Sequence, residues 1–319
     1  MKKQILLSIT LCLLAVLPVQ AAHAESSFPN KPVTIVVGMV AGGTADLSAR
    51  LIGKTAEKHL GQPVAVLNKP GGAGAVGTSA LASAKPDGYT LGTLLVSPMF
   101  TVPHIAKLTY HPVKDIDPII QYGVLNFAVS VREDSPFKTF KEAMEYARKN
   151  PGVVTYGTAG TNSAQHIIME AIAREEKVQL VHVPFKGGPE ALAAAMGGHV
   201  SMAAGDFNVS LIKGKKMRLL AMFLGERSAE LPDVPTLKDL GYAVPIPYFM
   251  GLGAPKGLPE PVMNRLEDAF TKAFHDPEFS AGMKTIGLPV FYRNRKDLTT
   301  YIAQSFEQMG KAIRELKGK

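Results

Sequence analysis

Val33-Thr34-Ile35-Val36-Val37 is a β-branched run. It is followed by Ala45 to Leu60, where Leu47, Leu51, Ile52, Ala56 and Leu60 recur at helical spacing, and then by the extended run Pro63-Val64-Ala65-Val66-Leu67. Strand, helix, strand in that order is a βαβ unit, and it constrains the fold more than any other feature because parallel strands can be joined only by a crossover. A Gly-rich connection from Pro70 to Gly77, a short helix over Ser79 to Ala84, the turn Lys85-Pro86-Asp87-Gly88 and a strand from Thr90 to Val96 continue the pattern.

A second series begins at the strand Phe127 to Val131. The helix Thr139 to Arg148, strand Val153 to Tyr156, helix Ala164 to Ala173 and strand Gln179 to Val183 follow. The next helix opens with Pro189 in its first turn and closes at Gly197-Gly198, the expected polarity of Pro and Gly. Strands Val200 to Ala204 and Arg218 to Phe223 complete the set. The Pro-rich stretch Leu231 to Pro247 reads as a connection between lobes, and after it come the apolar segment Phe249 to Ala254 and helices Pro259 to Phe274, Pro277 to Ile286 and Lys296 to Leu316. Those helices have no partner strands of their own and are expected to fold back on the first lobe. The 319 residues are enough for two domains at roughly 100 to 200 residues each. The expectation is therefore an α/β fold of two lobes, each a mostly parallel sheet flanked by helices, with a ligand cleft between them. Domain 1 is discontinuous (25–125 and 249–319) and domain 2 (126–248) is inserted.

Lys2-Lys3, the apolar run Ile5 to Pro18 and the small-x-small site Ala22-His23-Ala24 read as a secretory signal peptide over residues 1–24, with cleavage after Ala24 and an exported product. The run is shorter than the ~20 residues of a membrane-spanning helix. Cys12 is the chain's one cysteine and lies in this segment, preceded by Ile9-Thr10-Leu11 without the small residue that lipid attachment wants. The exported protein is thus expected to be soluble, without disulfides and stabilised by core burial. The net charge of +8 is spread along the chain, and runs such as Lys213-Gly214-Lys215-Lys216 are short, so no nucleic-acid partner is expected.

Two loops join a strand to a helix through small residues: Gly38-Met39-Val40-Ala41-Gly42-Gly43-Thr44-Ala45-Asp46, and Tyr156-Gly157-Thr158-Ala159-Gly160-Thr161-Asn162-Ser163. Each presents backbone N–H groups at a helix N-terminus, where the macrodipole and unpaired donors favour an anion. Either loop alone is equally well read as a tight turn with Thr44 or Ser163 as a cap. Two of them in two lobes suit a molecule with a carboxylate at each end. No Gly-Lys-Ser/Thr follows the first loop at P-loop spacing, since Gly53-Lys54-Thr55 has Ser48 where that motif needs its first Gly, and Gly38, Gly42 and Gly43 lack dinucleotide spacing, so nucleotide cofactors are not expected. There is no Gly-x-Ser-x-Gly elbow and no His-Glu-x-x-His motif. His182 reads as a core or edge residue and His199 as solvated, whereas His166, three residues past Ser163, faces either the cleft or the lobe interface. Asp46 and Asp206 have ordinary readings as a helix-dipole charge and a cap; facing the cleft, either would need a ligand hydroxyl, an amino group or a water as donor.

Leu60-Gly61-Gln62-Pro63-Val64, Asn68-Lys69-Pro70-Gly71, Pro86-Asp87-Gly88-Tyr89-Thr90-Leu91, Thr155-Tyr156-Gly157, His182-Val183-Pro184-Phe185-Lys186-Gly187, Leu231-Pro232-Asp233-Val234-Pro235-Thr236 and Ala254-Pro255-Lys256-Gly257 occur in that order. In these stretches the chain resembles the substrate-binding proteins of tripartite tricarboxylate transporters, the TctC or Bug receptor family, over essentially its whole mature length. The resemblance implies a periplasmic, monomeric, two-lobed receptor, not an enzyme and without cofactor or metal. Such a receptor captures a small mono- or dicarboxylate, aromatic ones included, and delivers it to membrane permease subunits. It also implies that the two loops grip the carboxylate through backbone amides and waters. Carried over by position, ligand contacts fall on Ala41, Gly42, Gly43, Thr44 and Asp46, on Thr158, Ala159, Gly160, Thr161, Asn162 and Ser163, on His166 and on Asp206, with Met39 lining the site. The family commonly has Pro where this chain has Gly38 and Ala41, which implies a more flexible first loop, and Met39 and Val40 make its lining more apolar. Ala203-Ala204-Gly205 before Asp206 is smaller than usual and implies a larger pocket. Two other functions fit the same residues: a secreted hydrolase or lyase using Asp46, His166 and Asp206 as acid–base groups, and a receptor feeding a membrane sensor.

Overall fold

The computed structural model describes residues 28–318 apart from 126, 224, 225, 229, 243–246 and 248. The expected signal peptide, its cleavage site and Cys12 lie outside the described residues. The N-terminal unit forms as read: β1 (Val33–Val37), α1 (Thr44–Leu60) and β2 (Val64–Asn68), with β1 and β2 parallel from Val33 opposite Val64 to Val37 opposite Asn68. Then come α2 (Ala75–Ala82), β3 (Thr90–Leu95), a helical turn at Ser97–Thr101 and β4 (Ile116–Gly123). The second series is β5 (Phe127–Arg132), α3 (Phe140–Lys149), β6 (Thr155–Thr158), α4 (Ala164–Glu175), β7 (Val181–Pro184), α5 (Gly188–Met196), β8 (Met202–Asp206), α6 (Val209–Lys213) and β9 (Met217–Met222). The chain closes with β10 (Met250–Pro255), α7 (Glu260–Phe274), α8 (Pro277–Thr285), β11 (Val290–Arg293) and α9 (Arg295–Gly318).

These strands form two sheets, one ordered β11-β4-β10-β3-β1-β2 and the other β7-β6-β8-β5-β9. The two-lobed α/β class holds, but the sheets are mixed rather than mostly parallel. Parallel pairing is confined to β2-β1-β3 and β7-β6-β8, where helical crossovers connect the strands. β10 runs antiparallel to both β3 and β4, β11 antiparallel to β4, and β5 antiparallel to β8 and β9. The reason is the chain path: β4 carries the chain out of the first sheet, and β10 brings it back in at that same end, so it runs the other way. Gly123, at the end of β4, stands opposite Met250, at the start of β10, so the two crossings between lobes leave from one place.

The C-terminal helices cover the first sheet. α7 and α8 pack on α1, Leu266, Ala269 and Phe270 of α7 are fully buried, and Arg265 donates to the carbonyls of His59 and Leu60 where α1 ends. Removing one such side chain, as in Leu266→Ala, would cost about 2–5 kcal/mol. At the end of β1, Gly38 has no room for a side chain: a Cβ there would lie 2.6 Å from the Gly74 carbonyl oxygen, and one on Gly77 would lie 2.5 Å from Gly38 Cα. Gly38 thus sits in a close backbone contact, not in a slack stretch of loop.

Candidate functional site

The first loop runs from Gly38 to Gly43 and delivers the chain into α1. Gly43 occupies the N-cap position with extended backbone, and no side chain caps the helix. Thr44, the first helical residue, turns its hydroxyl away from the helix and donates to Asp206 Oδ1 of the other lobe at 2.7 Å. Asp46 is only 2% exposed and reaches back over the loop. Its Oδ2 accepts from Gly42 N (2.9 Å) and Arg50 Nε (3.1 Å), and its Oδ1 accepts from Asn68 Nδ2 (2.9 Å) and pairs with Arg50 Nη2 (2.9 Å). Asn68 Nδ2 also donates to the Met39 carbonyl at 3.0 Å. Burial pushes the Asp46 carboxyl up, but the hydrogen bonds from Arg50, Gly42 and Asn68 and the Arg50 charge outweigh it and hold the group below the ordinary carboxylate range. Asp46 is the knot that shapes the loop, and its donors all come from its own lobe.

The second loop is finished differently. Ser163 caps α4 by accepting from His166 N at 3.3 Å, and the Ala164 N–H donates to Ser97 Oγ, a first-lobe atom, at 3.1 Å. Thr101 adds a second tie across the lobes by donating to the Asn162 carbonyl at 3.2 Å. The fully buried Thr158 has its hydroxyl within 2.7 Å of His182 Nε2 and 3.1 Å of the Gly160 carbonyl oxygen. His166 Nδ1 accepts from Asn162 N at 3.2 Å, and its ring stacks on His182 with centroids 4.0 Å apart. Burial and the neighbouring His166 push His182 down to about 4, and burial also lowers His166, so both rings are neutral at neutral pH. These side chains frame the loop.

A third helix start completes the cleft. α5 opens at Gly188 behind an extended Gly187, again without a side-chain cap. The Asp206 carboxylate at the end of β8 lies against it: a Cβ on Gly188 would overlap Asp206 Oδ2. A Cβ on Gly187 would likewise strike the Val40 side chain, and Gly43 faces the Pro189 ring. The lobes are therefore in contact. They close on a cavity of about 30 Å³ lined by Met39, Val40, Gly43, Thr44 and Ala45 from the first loop, by Leu95, Val96, Ser97, Leu125 and Phe127, and by Ala159, Gln165, Gly187, Gly188, Pro189 and Asp206. That is room for water, not for a four-carbon acid. Outside the Thr44–Asp206 bond is a wider mouth of about 460 Å³, where Lys213 of the second lobe and Lys284 of the first both line the wall. Burial pushes Asp206 up to about 6, against the lowering effect of the Thr44 hydrogen bond.

Of the residues singled out in the sequence, Met39, Gly43, Thr44, Ala159 and Asp206 converge on the inner cavity, and Gly42 lines the outer mouth. Ala41 and Thr161 are exposed. Asp46, Thr158 and Ser163 are buried and bonded within their own loops, while Gly160, Asn162 and His166 belong to the frame of the second loop. Sequence reasoning missed Ser97, Gln165 and the Gly187-Gly188-Pro189 turn. The last carried a signal, being a third small-residue passage from strand to helix. Gln165 carried none. Among the described residues there is no group of His, Cys, Asp and Glu able to hold a metal ion, and no helix long and apolar enough to cross a membrane.

Two mixed sheets joined by adjacent crossings, with three helix starts meeting where the lobes touch, define a two-lobed solute-binding protein of the periplasmic type. Residues 48–317 match the TctC family, described as the tripartite tricarboxylate transporter family receptor, and the chain belongs to that family. It is similar to a UPF0065 protein from the gbd 5' region of Cupriavidus necator, with 37% identity over 95% of this chain and 92% of that one. Among solved structures, it is similar to a periplasmic transporter (34% identity, TM-score 0.84, covering 90% of this chain and 97% of that one). It is also similar to MatC of Rhodopseudomonas palustris, solved with bound malate (27% identity, TM-score 0.83, covering 90% of this chain and all of that one). The family and fold are those of binding proteins.

Proposed function

We propose that this chain captures a small carboxylate, dicarboxylates foremost, between its lobes in the periplasm and delivers it to a membrane permease of the tripartite tricarboxylate type. The observation that carries this reading is the uncapped start of α1 at a closed cleft, because a long helix that presents its first amides there without a side-chain acceptor is suited to an anion. Malate in the related MatC supports the ligand class. In this reading the first-turn amides of α1 take the ligand's carboxylate, Met39, Gly43, Thr44, Ala159 and Asp206 surround it, and Asp46, the second loop and His166 hold the frame. The ligand enters with the lobes apart, through the mouth lined by Lys213 and Lys284, whose charge attracts an anion. Closure around the crossings beside Gly123 and Met250 then brings Thr44 to Asp206.

The lobes divide as 25–125 with 249–319 and 126–248, the mature chain begins after Ala24, and it acts as a monomer. Binding rather than turnover is favoured because Asp46, His166 and Asp206 do not converge. Asp46 is saturated by its own lobe, and His166 Nδ1 serves its own loop. The test is a thermal-shift and native mass spectrometry screen of the exported protein against mono- and dicarboxylates. One ligand per chain, recovered unchanged, with a rise in Tm is expected. Turnover of a bound acid, or no shift with any carboxylate, contradicts the reading.

A further inference from the structure

Gln165, the second residue of α4, is 3% exposed, and its side-chain oxygen Oε1 is buried without a hydrogen-bond partner. A buried amide oxygen left unpaired destabilises the protein that keeps it, and such atoms in native structures call for an occupant or a purpose. Gln165 lines the closed cavity together with Asp206, Thr44 and Ser97.

Asp206 Oδ1 accepts from Thr44, Ser97 Oγ accepts from Ala164 N and keeps its own hydroxyl proton, and the Gln165 amide carries Nε2 protons beside an Oε1 that accepts nothing. Leu95, Leu125 and Phe127 add apolar lining to the same cavity. A carboxylate brings only acceptors, which suit the amides of α1 and the Nε2 protons of Gln165 but leave its Oε1 unpaired. A hydroxyl on the ligand's carbon chain brings the missing proton.

We infer that Gln165 Oε1 accepts a hydrogen bond from a hydroxyl group of the captured carboxylate, and that Gln165 thereby makes the receptor selective for hydroxylated acids over their unsubstituted counterparts. This rests on the carboxylate reading above and goes beyond it by naming the group that chooses among carboxylates. A site built to bond a hydroxyl rejects the analogue lacking it, because its own polar atom is then left buried and unpaired.

The experiment is titration calorimetry with two matched pairs, malate with succinate and 2-hydroxyglutarate with glutarate, on the wild type and on Gln165→Leu, with Gln165→Met in reserve should the leucine variant fail to fold. In a pair that binds, the wild type is expected to favour the hydroxylated acid by about tenfold or more. The variant is expected to bring the two within about twofold, chiefly by weakening the hydroxylated acid. The ligand-free variant should melt no lower than the wild type, since the atom removed had no partner. A wild type without preference, a preference that survives the substitution, or equal losses for both members overturns the assignment; equal losses would mean that the amide meets the carboxylate instead. Failure of both variants to fold, or a large fall in their Tm, makes Gln165 a structural residue and overturns it as well. If the four acids do not bind while others from the carboxylate screen do, the Gln165 assignment falls and the receptor reading stands. If no carboxylate binds, both fall.

Discussion

The loops 38–43 and 157–163 look interchangeable in composition, each a run of small residues between a strand and a helix, yet they start their helices in opposite ways. The first puts Gly43 at the N-cap and leaves α1 uncapped, while Asp46, in the first turn, spends its carboxylate on Gly42, Asn68 and Arg50. The second puts Ser163 at the N-cap and adds Ser97 from the other lobe, so the first amides of α4 have acceptors before any ligand arrives. One helix start is open to an anion and the other is closed by the protein's own oxygens. The two loops are therefore not equivalent: the first leaves its helix amides open, the second does not, and in the second lobe it is the start of α5 at Gly188, beside Asp206, that lacks a side-chain cap.

The largest expected effect comes from cutting the knot of the first loop. Asp46→Ala leaves the part-buried Gly42 N–H and the Asn68 amide without their carboxylate and frees Arg50, which is half exposed, so unfolding by denaturant should show a loss of about 2–4 kcal/mol. Next comes an exchange of roles. Gly43→Asp gives α1 the cap it lacks, at a position whose φ of −78° and ordinary neighbour distances admit a side chain. Carboxylate affinity should fall about 100-fold, some 2.7 kcal/mol, while the ligand-free Tm holds or rises. Calorimetry with unchanged affinity would break the contrast between the loops. The converse change, Ser163→Ala, removes the cap of α4. It should destabilise by about 1 kcal/mol and leave affinity within about twofold, as read by melting and titration together.

The smallest effect is a pH profile in which two groups oppose each other. The folded state raises Asp206 from 3.8 to about 6, so it holds this proton more tightly than the unfolded chain, and stability from it is lost as pH climbs from about 4 to 6. His182 falls from 6.5 to about 4, so stability from it is lost as pH drops through the same window. The wild type should therefore be nearly flat between pH 4 and 6 with respect to this pair. Asp206→Asn should lose stability steadily on acidification below about 6.5 as the His182 contribution is uncovered. Superimposable profiles would remove Asp206 from the account.

The elements that position the site were legible because they follow local rules. The apolar spacing of α1 and the β-branched run of β1 place the first loop to within a residue, and the three C-terminal helices pack on the first sheet and α1, although the expectation that they bring no strand fails, since β11 lies between them and pairs with β4. β4 was not read because Asp117-Pro118 interrupts its apolar run, and β11 because Val290, Phe291 and Tyr292 are exposed on an edge strand and show no alternation. The antiparallel halves of both sheets depend on where the chain re-enters, which no local pattern encodes. At the site, the loops were visible but their capping was not. Asp46 finds Asn68 across the sheet, α4 borrows Ser97 from the other lobe, and nothing in the letters distinguishes a buried Gln165 from an exposed one.

The asymmetry can be tested directly by following backbone amide resonances of the isotope-labelled mature protein during saturation with a carboxylate identified in the screen. The account predicts large downfield shifts for Thr44 and Ala45, the amides that gain an anionic acceptor, and small ones for Ala164 and His166, which already donate to Ser97 and Ser163. Large shifts at Ala164 and His166 with Thr44 and Ala45 unmoved would contradict it.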